Sequence, residues 1–251
     1  MAKAEKEHAP LIEVRGVSKR YGSKVVHENI NLTIEQGEIL TLMGGSGSGK
    51  SVLLRSLIGL EKPDRGEIFF RGEDVAKLDE SALIPIRKRI AYVFQYGALF
   101  DSLTVEENLA YPLREHTKLT DKQIADKVSV TLGKVGLQGS ERLLPADLSG
   151  GMQRRVGVAR SIIMDPEVIL YDEPTTGLDP YNTKQILKII LQLKSQGATS
   201  VLVTHDMTSI FAVTDRVAYL RDGKIAALGT ADEIRNTKDV TLHGFIHGET
   251  M

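Results

Sequence analysis

The sequence predicts an α/β fold: a parallel sheet packed by helices, an antiparallel β part beside it, and an inserted helical segment. Three observations predict it. The run "GGSGSGKS" at residues 44–51 joins a compact apolar strand, "EILTLM", to a helix whose Leu53, Leu54, Leu57 and Ile58 share one face. Two later runs, "EVILYDEP" and "ATSVLVTHD", have the apolar texture of parallel strands covered on both faces, and the helix "TKQILKIILQLKS" separates them. Ahead of the glycine run, "LIEVRGVSKRYG" and "NINLTI" alternate apolar and polar residues around the turn-prone "YGSK", as antiparallel strands do.

The other elements follow along the chain. "GEIFFRGEDV" is a further hairpin-like piece. From about residue 104 to 147 the texture turns helical, in "TVEENLAYPLREH" and "DKQIADKVSVTLGKVGL", with breaks expected at Pro112 and Pro145. With its flanks, at about 97–160, this stretch is expected to form a helical subdomain inserted into one domain spanning 11–251. "RVAYLRDGKIAALG" predicts a hairpin turning at Asp222–Gly223. Residues 1–10 are charged and lack the apolar core of a leader, so a loose tail is expected.

Composition narrows the function class. A chain of 251 residues, 41% hydrophobic and 26% charged, is ordinary for a globular protein with room for a sheet and its helices. The net charge of −1 gives no electrostatic footprint for nucleic acid, so no such partner is expected. Cysteine is absent, which excludes disulfides and thiolate chemistry. No apolar run approaches the roughly 20 residues of a membrane span. A membrane role would therefore need another chain to supply the span.

Three stretches carry chemistry. In "GGSGSGKS", Gly44, Gly49, Lys50 and Ser51 have the P-loop spacing, after a strand and before a helix. Residues Gly44, Gly45, Ser46, Gly47, Ser48, Gly49 and Val52 complete a cradle of backbone N–H groups around phosphates. Lys50 is placed to reach the β- and γ-phosphates and Ser51 to ligate Mg²⁺. In "VILYDEP", Asp172 and Glu173 end an apolar strand, where parallel sheets open into their ligand crevice. Asp172 is expected to hold Mg²⁺ through water, and Glu173 to orient or deprotonate an attacking water. The third stretch, "LSGGM", predicts a helix start: Ser149 as N-cap, with the Gly150 and Gly151 N–H groups at the positive helix end. By itself that is an ordinary capped helix. Two anion-seeking features in one chain could bind two nucleotides, or grip one nucleotide from opposite sides if two copies face each other, and composition does not choose.

These motifs, in this order, resemble the nucleotide-binding subunits of ABC transporters over almost the whole chain, from about residue 11 to 235. The resemblance makes "GGSGSGKS" the Walker A motif, "VILYDE" the Walker B motif and "LSGGM" the family's signature. It implies that Gln95 in "VFQYG" contacts Mg²⁺ and the water, and that His205 in "VTHD" contacts the γ-phosphate. Asp179 in "TGLDP" matches the D-loop, and Tyr21 stands where the family stacks an aromatic ring on adenine. Taken alone, Tyr21 is an ordinary hairpin aromatic, and His205 an ordinary loop histidine. The fold implied is an ABC-type P-loop ATPase core with ATP and Mg²⁺ as cofactors. In the family two copies pair head to tail, so Ser149, Gly150, Gly151 and Asp179 would act in trans on the ATP bound by a partner's Lys50.

A narrower likeness lies in "GALFDSLTVEENLAYPLREHT", residues 97–117, and in "LSGGMQRR", where Met152 replaces the glutamine of most ABC ATPases. Both are similar to the ATPases of MCE-linked, Mla-type phospholipid transporters of bacteria. That likeness implies integral permease subunits contacting the Q-loop and the helical subdomain. It also implies an MCE-domain protein and a small regulatory subunit as possible members of the complex, and a location on the cytoplasmic face of the inner membrane. Mla-type ATPases often continue past a "FIHG"-like ending, and the resemblance does not extend to contacts made by such an extension. The alternatives are the ATPase of a small-solute importer, for example for amino acids, a soluble ABC protein of repair or translation, and a non-hydrolysing nucleotide-gated module. The basic runs 87–89 and 153–155 are expected to be solvated faces or salt-bridge partners, and His8, His27, His116, His243 and His247 to be packing or surface residues.

Overall fold

Alternation does set the first pair of strands. β1 (Ile12–Tyr21) and β2 (Lys24–Ile34) run antiparallel, with Ile12 opposite Ile34 and Tyr21 opposite Lys24 across the turn. The computed structural model describes residues 9–248, so most of the expected tail, including His8, lies outside the described residues. β3 (Ile39–Met43) is buried at all five positions and delivers the glycine run to α1 (Lys50–Ser56), whose Leu53 and Leu54 are fully buried. β4 (Arg65–Phe70) and the short β5 (Glu73–Asp74) complete a four-stranded antiparallel sheet, ordered β2-β1-β4-β5.

The larger sheet is built from later sequence. α2 (Glu80–Arg89) leads into β6 (Ile90–Val93); α3 (Val105–His116), α4 (Asp121–Lys134) and α5 (Gly150–Ile162) then precede β7 (Val168–Asp172). α6 (Pro180–Ser195), β8 (Thr199–Val203), α7 (Met207–Val213), β9 (Arg216–Arg221) and β10 (Lys224–Thr230) follow, and α8 (Ala231–Arg235) and α9 (Val240–His247) end the described chain. The sheet order is β10-β9-β3-β8-β7-β6, parallel except for the β9–β10 hairpin. That hairpin turns at Asp222 and Gly223, both with positive φ, the geometry a two-residue turn demands.

Two helix starts in the helical segment carry reciprocal caps: Thr104 with Glu107, and Thr120 with Gln123, each satisfying two otherwise orphaned N–H groups. The apolar faces of α3, α4 and α5, among them Leu109, Leu132 and Val156, share one core with Ile186 of α6 and with Tyr171 and Leu202 of the large sheet. A second core, including Ile12, Ile30, Leu53 and Leu170, fills the space between the two sheets and α1.

Two expectations are corrected here. Pro112 does not break a helix; it lies inside α3, as Pro85 lies inside α2. The apolar face of α3, carrying Leu109 and Leu113 into the core, outweighs the single backbone hydrogen bond a proline removes. Arg154 is neither solvated nor salt-bridged: it is 6% exposed, and its guanidinium donates to the Thr176 carbonyl at 3.1 Å. Arg87 and Arg89 do pair as expected, with Glu80 and Glu167.

Candidate active site

The site forms where β3, β7 and β8 end side by side, because parallel strands place their C-terminal ends on one edge. The loop from Gly44 to Gly49 leaves β3 there and wraps back into α1. Gly49 is held at φ 98°, and a Cβ on it would stand 2.6 Å from His27 Nε2 and 2.8 Å from Val26 Cγ1, so only glycine fits. His27 is buried and hydrogen-bonds the Gly49 carbonyl at 3.0 Å, clamping the loop from β2.

Lys50 is 8% exposed and donates to the Gly44 and Gly45 carbonyls at 2.8 and 2.9 Å, so its ammonium is folded back over the loop. Burial lowers its pKa, and the charges of Glu173 and Asp172 oppose that shift. Ser51 Oγ donates to Asp172 Oδ1 at 2.7 Å, which joins the two predicted metal ligands directly. Glu173 follows with φ 51°, fixed by its N–H to the Val203 carbonyl at 2.9 Å. Its carboxylate accepts from Thr176 Oγ1 at 2.9 Å and lies 3.0 and 3.1 Å from His205 Nδ1. Carboxylate and imidazole therefore face one point from two different strand ends.

A cavity of about 970 Å³ opens over these groups. Tyr21, all of the cradle except Ser48, Ser51, Val52, Gln95, Glu173 and His205 line it. Asp172 reaches it through Ser51, and Ser48 lines a neighbouring hollow of about 440 Å³ with its hydroxyl buried and unpartnered. Tyr21 is 47% exposed at the cavity mouth with the Lys19 ammonium 5.2 Å from its ring, a flat apolar face free for stacking. The donor set suits Mg²⁺: one hydroxyl, one carboxylate and one amide leave most of a small hard cation to water and phosphate oxygens. No three His, Cys, Asp or Glu side chains form a metal cage among the described residues.

The second anion-seeking feature is elsewhere. Ser149 caps α5 by accepting from the Met152 N–H at 3.3 Å, and a Cβ on Gly151 would overlap Asn182 Oδ1 at 2.2 Å. Asn182 is in turn fixed by Asp179, which caps α6 by accepting from the Asn182 N–H at 3.0 Å; that bond lowers the Asp179 pKa. Ser149, Gly150, Gly151 and Asp179 thus form a second cluster, and none of them lines the 970 Å³ cavity.

The family model of the ABC transporter matches residues 27–176, from the β2 strand through the Walker B loop. The chain belongs to the ABC transporter family, as its ATP-hydrolysing cassette.

Among its relatives is the intermembrane phospholipid transport system ATP-binding protein MlaF of Escherichia coli, 41% identical over 245 residues, covering 97% of this chain and 91% of that one. The probable ribonucleotide transport ATP-binding protein mkl of Mycobacterium tuberculosis is 39% identical over 241 residues, covering 96% of this chain and 67% of that one. The dimeric structure of the ATP-binding cassette MJ0796 with ADP and Pi superposes with a TM-score of 0.81, 32% identical, over 88% of this chain and 98% of that one.

Several cavity residues of this ABC cassette escape sequence reasoning. Thr176 orients Glu173, and Phe245 and Ile246 bring the last described helix to the cavity wall. Tyr92 binds Asp172. Away from the 970 Å³ cavity, a hollow of about 680 Å³ lies between α2, β6 and α3, walled by Leu60, Ile84, Phe94, Phe100 and Tyr111, each at least 43% exposed. No helix among the described residues is long and apolar enough to cross a membrane.

Proposed function

We propose that this cassette powers a bacterial phospholipid transporter of the Mla type, each ATP being held between two copies of the chain paired head to tail. The observation that carries the pairing is what lines the cavity: Lys50, Ser51, Glu173 and His205 do, whereas Ser149, Gly150, Gly151 and Asp179 do not. A second copy turned by a two-fold would bring its α5 N-terminus, with the Gly150 and Gly151 N–H groups and the positive helix end, onto the exposed triphosphate.

Within one half-site the division of labour is direct. The cradle N–H groups and Lys50 hold the β- and γ-phosphates, Tyr21 holds the base, and His205 sits at the γ-phosphate. Glu173 takes a proton from water as the water oxygen bonds to the γ-phosphorus. The bond to the β–γ bridging oxygen breaks, and its electron pair leaves with ADP. Ser51 and Gln95, with Asp172 through water, would hold Mg²⁺, which would supply positive charge against the phosphate oxygens. Departure of the γ-phosphate removes what ties the two copies together, so hydrolysis reopens the pair.

The partner side is supported by the aromatic hollow beside Gln95. Phe94, Phe100 and Tyr111 present an apolar face of the kind that receives a partner's helix, next to the loop that touches the nucleotide. We read it as the seat of the permease subunits, with residues 97–160 as the helical subdomain that carries it. The permease would hold the cassette on the cytoplasmic face of the inner membrane, with an MCE-domain protein and a small regulatory subunit as further members. Identity to MlaF over nearly the whole chain supports phospholipid as cargo. Identity to mkl, named for probable ribonucleotide transport, supports a second reading, the ATPase of a small-solute transporter.

Cargo and pairing are tested separately. Isolation of the complex with its own permease, followed by mass spectrometry of the bound molecules, should yield phospholipid; a small polar solute would establish the second reading. Because the chain has no cysteine, Ser46→Cys and Ser149→Cys can be introduced on a clean background. With ATP bound, a short bismaleimide should link position 46 of one copy to position 149 of the other. Nucleotide binding without that crosslink would refute the head-to-tail arrangement.

A further inference from the structure

Tyr92, in the middle of β6, touches two sites at once. Its hydroxyl donates to Asp172 Oδ2 at 2.7 Å, while Ser51 donates to the other oxygen, Oδ1, at 2.7 Å. Both carboxylate oxygens are thereby held by hydroxyl donors. The same ring walls the 680 Å³ aromatic hollow and lies 4.6 Å, centroid to centroid, from the ring of Phe94. Phe94 stands two residues beyond Tyr92, just past the end of β6 and directly before Gln95. The backbone beneath is fixed: Tyr92 pairs with Leu170 of β7 and its carbonyl accepts from Ser161 Oγ at 3.2 Å.

We propose that Tyr92 is a positioning residue for hydrolysis: its hydroxyl orients the Asp172 carboxylate for Mg²⁺, and its ring carries the state of the aromatic hollow to that carboxylate. The inference rests on the reading of Ser51 and Asp172 as Mg²⁺ ligands. The physical reason is rotational. A carboxylate at a strand end can turn about its last bond, and a turned Asp172 would present its oxygens wrongly to the cation's water shell. A 2.7 Å bond from a ring clamped in the sheet removes that freedom. Outer-shell donors of this type set metal affinity through orientation. A partner that shifts Phe94 also shifts the ring, and the ring shifts the oxygen.

The test is Tyr92→Phe in the full chain, which keeps the ring and removes the donor. Binding of a methylanthraniloyl-labelled ATP is titrated first in EDTA, then with rising Mg²⁺. The expected result is unchanged affinity in EDTA and a rise of about tenfold or more in the Mg²⁺ concentration that gives half of the metal-dependent gain. A hydroxyl that only satisfied a buried acceptor would lower thermal stability and leave that midpoint in place; an unshifted midpoint overturns the proposal for Tyr92 alone. Wild-type protein that shows no Mg²⁺-dependent gain overturns the ligand reading of Ser51 and Asp172, and the role of Tyr92 with it. Phe94→Ala tests the ring. It should raise the same midpoint in the wild type and add nothing in the Tyr92→Phe background, whereas additive shifts overturn the transmission through Tyr92.

Discussion

Replacement of Glu173 by glutamine separates nucleotide binding from hydrolysis. Glutamine has the same shape, and its amide oxygen can keep accepting from Thr176 Oγ1, now at 2.9 Å. The backbone at φ 51° is held by the Val203 carbonyl, so the side chain stays where it is. What is lost is the ability to take a proton from water. General-base help of this kind is worth about 10²–10⁴ in rate, or about 2.7–5.4 kcal/mol of barrier. Loss of a negative charge near Lys50 and the γ-phosphate should leave ATP affinity equal or higher. The assay is phosphate release at saturating Mg²⁺–ATP, with gel filtration in ATP to follow a long-lived dimer. Turnover within about fivefold of wild type would mean that Glu173 is not the base.

Two further predictions concern the loop and its clamp. Gly49→Ala places a methyl 2.6 Å from His27 Nε2 at a φ that side chains rarely adopt, so it should cost about 2 kcal/mol or more of stability in urea unfolding and abolish ATP binding; a loss below about 0.5 kcal/mol would contradict the clash. Burial lowers the His27 pKa, with the Gly49 carbonyl opposing it, so below an unfolded-state value near 6.5 the unfolded chain binds the extra proton first. Stability should therefore be full above that pH and fall as pH drops toward the folded-state pKa. Chemical denaturation of wild type and His27→Asn from pH 7.5 to 5.5 checks this at about half-unit steps, and equal pH slopes would refute it.

The legible parts of the site were those made by one continuous stretch. The cradle with Lys50 and Ser51 is a local pattern, and so is the pair Asp172–Glu173 after an apolar strand. Ser149 is an N-cap in the structure as its spacing predicts. The parts that escaped depend on distance in sequence. Tyr92 and Asp172 are 80 residues apart and meet only because β6 lies beside β7. Arg154 carries a charge that reads as solvent-facing, yet α5 packs so that the Thr176 carbonyl receives it. Pro112 reads as a helix break because local propensity contains nothing of the core that α3 fills. Phe245 and Ile246 are two apolar residues near the chain end, with no pattern pointing them at a cavity some two hundred residues upstream.

The sequence by itself determined the strands and helices around the glycine run, the run itself and the acids Asp172 and Glu173 at one strand end, because each is encoded by spacing within a few residues of one strand, turn or helix. The tertiary structure alone decided which of those groups share a cavity. Sheet order sets β8 between β3 and β7 and so unites Glu173 and His205 with Lys50. The packing of α5 against α6 instead groups the capped helix start with Asp179 and Asn182, away from the cavity. Adjacency between strands and helices distant in the chain comes from packing the whole core at once, and no local pattern contains it.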